Sequence, residues 1–378
     1  MGLRWSKSKR IDAGRLAPDP ARLRCLVALM TSLFAVSPST EAAGNHPDLA
    51  GEELSNELCL GCHEDVAAEL PSGQHAAVEQ GCTACHDVIK AKDSPYLGGT
   101  LKDICGACHE LAEKEIVAKH GAQPFAEVAC TGCHAPHASK NKSLLLAYSH
   151  SPFTDGQCDS CHDTPENGKV RLVTKDAKEL CTVCHEDLEK KFAAAKVVHA
   201  PIESEGCVLC HSPHATRNPA HLRDPAATLC ASCHDDIFAQ LSRASSHAAA
   251  KDPGCMACHD PHASNVPARL RADPNTVCLG CHFAALPPGG NAPPTVEIVP
   301  GYSVRGSLLQ KTKQINLDKR GLGHPIFNHP VGGHPDPLRK GQQLGCLSCH
   351  FPHGGNSQKL LVFELAPGQG ICQKCHQM

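Results

Sequence analysis

Of the 25 cysteines in this 378-residue chain, 24 form twelve Cys-x-x-Cys pairs, and a histidine directly follows every pair. The first four are Cys59/Cys62/His63, Cys82/Cys85/His86, Cys105/Cys108/His109 and Cys130/Cys133/His134. Next come Cys158/Cys161/His162, Cys181/Cys184/His185, Cys207/Cys210/His211 and Cys230/Cys233/His234. The last four are Cys255/Cys258/His259, Cys278/Cys281/His282, Cys346/Cys349/His350 and Cys372/Cys375/His376. With 26 histidines in 378 positions, chance would put one after about one such pair in fifteen. Two thiols one helical turn apart can form thioethers to the vinyl groups on one edge of a porphyrin. The adjacent imidazole then reaches under the ring to the iron, and this spacing is the attachment signature of c-type haem. Zinc or disulfide chemistry gives no reason for the histidine. The expected cofactor is haem c, twelve groups held covalently.

Each iron has a second axial position, and its occupant separates an electron carrier from an enzyme. Methionine cannot serve generally: beyond residue 43 there are only Met256, inside its own motif, and Met378 at the end. Fourteen histidines remain outside the motifs. His137, His214, His262 and His353 each follow a motif in CHxPH form, and His75, His120, His150, His199 and His247 each precede one with six to nine residues between. These nine are expected distal ligands. The long lead into Cys346 offers His324, His329 and His334, and His329 is taken as the tenth. The last two places fall to two of His46, His221, His324 and His334. Full bis-histidine ligation leaves no iron open, so electron transfer is expected and catalysis is not.

The elements that must carry these groups are short. First cysteines step by 23, 23, 25, 28, 23, 26, 23, 25, 23, 68 and 26 residues, so one haem sits on each small unit. In one unit type an apolar residue precedes the pair and a charged helical stretch often follows, as at Leu180-Cys181 and Leu229-Cys230. In the other a Gly or small polar residue precedes it and xPH commonly follows, as at Gly206-Cys207. The alternation changes phase between Cys130 and Cys158. The expected fold is mainly α and coil, an elongated haem-packed chain of short helices and Pro/Gly turns with very little strand. Its modules are a four-haem segment 44–145, a six-haem segment 146–282, a haem-free insertion 283–344 and a two-haem segment 345–378. The insertion has strand-like alternation at Thr295–Val304 and reads as a wrapping loop that delivers a distal ligand, or as a docking element.

Phe, Trp and Tyr make up only 3% of the chain, so the porphyrins are expected to supply the missing apolar bulk. A net charge of -3 argues against a strongly basic nucleic-acid binder. Residues 1–24 carry seven Lys or Arg, the run Cys25–Val36 is apolar, and Glu41-Ala42-Ala43-Gly44 follows. That is the layout of a secretory signal peptide ending near residue 43, the alternative being a membrane anchor for which the run is too short. The remaining chain is more acidic, with a formal charge of -7, and no later segment is long enough to span a bilayer.

The alternation of LCxxCHxD/E with GCxxCHxPH resembles the doubled-CxxCH multihaem cytochromes, among them periplasmic decahaem electron conduits. The resemblance covers nearly all of residues 55–378. It implies periplasmic placement, outer-membrane or extracellular association, redox partners such as periplasmic donors and a surface cytochrome, and insertion into an outer-membrane porin. This chain departs from the decahaem members by two haems and by the insertion. The leading expectation is an electron conduit. The alternatives are a multihaem reductase with one open iron and a subunit of an extracellular cytochrome filament.

Overall fold

The computed structural model describes residues 46, 47, 49, 51–90, 95–120, 129–164, 170–284, 286, 292–315, 324, 329–364 and 370–376. Residues 1–43, read as a signal, and most of the stretch 286–294 lie outside them. The chain divides into a unit of residues 1–47 and a unit of residues 48–378. The second unit carries all twelve motifs. Among the described residues no helix is long and apolar enough to cross a membrane.

Every attachment motif is a single helical turn. In eleven of them the motif histidine's amide donates to the carbonyl of the first cysteine at 2.9–3.0 Å, and Cys278–His282 closes within the helix Pro274–His282. This turn is what brings two thiols and an imidazole together. In the first unit type a helix leads into the turn: Asn56–Leu60, Leu101–Gly106, Ala177–Thr182, Ala226–Ala231 and Pro274–His282. Side chains of Ser55, Thr100, Asp176 and Asp273 cap four of these by accepting from first-turn amides, which fixes where each helix starts and so where its cysteines fall. His63, His185 and His234 then start a second helix whose first turn is acidic, as the helix dipole favours.

In the second type the motif is an isolated turn of 3₁₀ helix, at Cys82–Ala84, Cys130–Gly132, Cys158–Ser160, Cys207–Leu209 and Cys255–Ala257. The glycine before the pair has a reason: Gly81, Gly206 and Gly254 adopt φ of 106°, 77° and 95°, which L side chains disfavour. Ile371–Lys374 is also 3₁₀, although an apolar residue precedes Cys372. The residue before the pair therefore does not determine the local helix type at that motif.

The strands are small and clamp units together. They are β1 (Tyr148–Ser149), β2 (Val197–Val198), β3 (Ala215–Thr216), β4 (Ser245–Ser246), β5 (Ala263–Ser264), β6 (Thr295–Val299), β7 (Tyr302–Arg305) and β8 (Gly354–Gly355). Antiparallel pairs form between β1 and β3, β2 and β5, β4 and β8, and β6 and β7. In the first three, the residues just before His150, His199 or His247 pair with those just after His214, His262 or His353.

The insertion supplies the main apolar cluster. β6 and β7 form a hairpin that packs on the helix Pro274–His282, and the cluster comprises Val277, Ile298, Val299, Val304 and the fully buried Leu309. Gly280, inside the Cys278 motif, makes this approach possible: a Cβ there would collide with the Ile298 carbonyl oxygen. Gly280→Ala is expected to destabilise the protein by about 1–3 kcal/mol, measured as a lower denaturant midpoint with haem content retained. Elsewhere the polypeptide has little core of its own. Among the described residues only twelve apolar side chains are buried, five of them Ala.

Candidate haem-iron sites

The motif histidines face other histidines at a constant spacing. Ring centroids lie 6.0 Å apart for His86 and His137, 6.1 Å for His109 and His75, and 6.0 Å for His134 and His120. The distances are 5.9 Å for His162 and His214, 6.2 Å for His185 and His150, 5.9 Å for His211 and His262, and 6.2 Å for His234 and His199. They continue at 6.0 Å for His259 and His353, 6.1 Å for His282 and His247, 6.5 Å for His350 and His324, and 6.4 Å for His376 and His329. Two imidazole nitrogens in line, each about 2.0–2.1 Å from one metal, put their ring centroids about 6 Å apart. In all eleven pairs one ring belongs to a motif and the other does not.

In about half of these rings a backbone carbonyl holds Nδ1, which leaves Nε2 for a metal. His86, His134, His211, His259 and His350 meet the carbonyls of Pro95, Ser143, Ala220, Ala268 and Lys359, each nine residues on, at 2.8–2.9 Å. The chain returns there as a strap, pairing each motif histidine with Leu97, Leu145, Leu222, Leu270 or Leu361. His162 uses the same device at 3.3 Å to Arg171, with Leu172 as the bridge partner. His282 instead reaches Lys313 at 2.8 Å, in the insertion.

The CHxPH segments serve two sites each. The proline carbonyls of 136, 261 and 352 meet Nδ1 of His75, His199 and His247 at 2.9–3.0 Å, and Pro213 does the same for His150. The next carbonyls, of His137, His214, His262 and His353, accept from the amides of His75, His150, His199 and His247 at 2.8 Å. One Pro-His dipeptide thus presents an imidazole to one motif histidine and orients the histidine that faces another.

Burial lowers the pKa of His137, His150, His199, His214, His247, His262, His324 and His353 below the ordinary imidazole value, and in each the opposing motif imidazole adds to the shift. Such rings are kept neutral, as metal ligation requires. First cysteines of neighbouring motifs lie close to one another as Cys59/Cys82, Cys105/Cys130, Cys181/Cys207, Cys230/Cys255 and Cys278/Cys346. Cys85 and Cys105, Cys161 and Cys181, Cys210 and Cys230, Cys258 and Cys278, and Cys349 and Cys375 interact electrostatically.

The polypeptide does not enclose the attachment cysteines evenly. Cys62, Cys108, Cys158, Cys184, Cys233, Cys372 and Cys375 are exposed, and the other seventeen are half-buried. The reason is local. Cys62, Cys108, Cys184 and Cys233 are the second cysteines of first-type motifs, at the end of a helical turn that no neighbouring unit covers. Cys281 holds the same place in the Cys278 motif and is half-buried, because the insertion's hairpin cluster packs against it.

Six segments, residues 75–114, 123–149, 150–190, 199–239, 247–285 and 336–378, match the model of the doubled CXXCH motif family. The chain belongs to this family. It is a multihaem c-type cytochrome of electron transfer, and its paired CXXCH motifs bind haem c covalently. No curated protein matches the chain at a significant level.

The residues of this doubled-CXXCH cytochrome fit the group. None of the 24 motif cysteines is joined in a disulfide. A cavity of about 420 Å³ opens at His86 between Leu54, Ala84, Gly98 and Ile104, and one of about 310 Å³ lies at Cys184 and His185. Of the alternative histidines, His324 lies opposite His350, whereas His221 lies edge-on to His150 with centroids 5.5 Å apart. His334 is exposed on the lead into Cys346, and His46 belongs to the first unit, its Nδ1 3.0 Å from the Pro47 carbonyl. Sequence reasoning missed the straps. Their signal is a leucine eleven residues after the motif histidine, ten in the Cys158 unit, visible once the six units are aligned with one another.

Proposed function

We propose that the protein is a dodecahaem, bis-histidine electron conduit of the periplasm or outer membrane, and not an enzyme. The observation that carries the reading is the opposition of eleven motif histidines to eleven others at 5.9–6.5 Å. Haem supplies one-electron chemistry at iron between its ferric and ferrous forms. The chain's part is to hold twelve thioether pairs, present two imidazoles to each iron, and fix many of those rings through a backbone carbonyl at Nδ1. The distal set is His75, His120, His137, His150, His199, His214, His247, His262, His324, His329 and His353. For the His63 iron the second ligand, and with it the role of His46, rests on the sequence expectation alone.

The closeness of first cysteines in neighbouring motifs supports a conduit over separate centres, since it sets attachment edges side by side. The basic, then apolar, then small-residue amino-terminal segment supports export. The partners in this reading are periplasmic donor proteins and an outer-membrane or surface cytochrome, with or without a porin. Carbon monoxide tests it. The dithionite-reduced protein is expected to show no stoichiometric ferrous-CO spectrum. One CO bound per molecule would mark an open iron and favour a reductase.

A further inference from the structure

Four straps share one shape. Their tenth residue after the motif histidine is Leu144, His221, Arg269 or Leu360, each half-buried and left-handed, with φ of 55°, 56°, 51° and 59°. Each precedes the bridge leucine, and its carbonyl accepts at 2.7–2.8 Å from the residue after the motif histidine. The backbone is the same at all four, and leucine satisfies two of them. The two polar occupants are the odd ones, and both carry a buried nitrogen with no hydrogen-bond partner in the protein, His221 Nδ1 and Arg269 Nε.

Arg269 lies beside one particular site. Its 3₁₀ turn, Pro267–Arg269, packs on β2, which runs directly into His199. Its charge acts on His199 and on Cys230, the distal histidine and the first attachment cysteine of the His234 site. The nearby carboxylate, Asp260, is already engaged by Lys191 at 2.5 Å and by Arg271 at 3.6 Å. With Lys191 and Arg271 already on this carboxylate, whose charge reaches Arg269 as well, the Arg269 guanidinium is only partly compensated.

Taking the bis-histidine reading as its basis, we propose that Arg269 is a fixed positive charge placed against the haem held by His199 and His234, raising its reduction potential above that of the equivalent haems. Reduction adds an electron at the iron, and a half-buried cation nearby, weakly screened by salt, favours that state. Leu144 and Leu360 stand at the same place beside the sites of His75/His109 and His247/His282 and supply no charge. Arg269 is thus a positioning residue for charge and touches no reacting atom.

Potentiometric titration of the holoprotein, followed in the visible α-band, tests this. Arg269→Leu is expected to move one haem's share of the absorbance change to lower potential, and Arg269→Lys to leave it in place. The reciprocal variant Leu360→Arg is expected to move one haem's share upward. Arg269→Leu with twelve haems intact and an unmoved titration overturns the proposal. Should that variant fail to fold, an unmoved titration in Leu360→Arg overturns it instead. A wild-type mass showing fewer than twelve haems would fail the underlying reading, an outcome distinct from either.

Discussion

Replacing His262 with alanine is expected to convert one iron, and only one, from closed to open. His262 lies across from His211 at 5.9 Å, while its carbonyl accepts from the His199 amide at 2.8 Å. The substitution removes the imidazole and keeps the carbonyl, and the Pro261 carbonyl still meets His199 Nδ1 at 2.9 Å. The His199/His234 site should therefore survive. Reduced His262→Ala should bind one CO per molecule where the parent binds none, with a single high-spin signal in the oxidised protein. Two open irons would mean that the dipeptide's two roles cannot be separated. No open iron would mean that His262 is not a ligand.

The second large effect is the loss of a whole attachment site. Cys207→Ala with Cys210→Ala should lower the intact mass by one haem and destabilise the protein by at least the about 3–5 kcal/mol typical of deleting a large aromatic from a core. The reason lies in how little else is buried: twelve apolar side chains among the described residues, with only Leu309 among the largest fully enclosed. The damage should spread, because His211 faces His262, which belongs to the Cys255 unit, two motifs further along the chain. Chemical denaturation read at the Soret band measures it. A variant with one haem fewer and an unchanged midpoint would show that the polypeptide, not the cofactor, is the core.

Much of this was legible from residue types alone. Covalent attachment requires two thiols and an imidazole within one turn, so local spacing determines it and all twelve motifs could be named. How deeply each thiol sits was not legible: Cys233 and Cys281 hold equivalent places in their motifs, yet only Cys281 has the insertion packed on it. Nine of the eleven histidines that face a motif histidine were visible as a set, because each sits at a regular distance from a motif, and His324 and His329 do not. The pairings were not visible. His353 follows the Cys346 motif yet faces His259, and His137 follows the Cys130 motif yet faces His86. Such choices depend on which units pack together, and two-residue strands such as β4 and β8 leave almost no sequence trace. The choice among His221, His324 and His334 was likewise open, since the insertion's path sets it. The alternation at Thr295–Val304 did mark a hairpin, but that it would press on the Cys278 motif through Gly280 is a property of packing.

The most direct test of the whole account is the intact mass of the purified holoprotein. The difference between that mass and the processed polypeptide should equal twelve haem groups, one per Cys-x-x-Cys-His motif. Eleven or fewer would mean that at least one motif and its opposed histidine serve some other purpose, and would contradict the assignment of these histidine pairs as haem-iron ligands throughout.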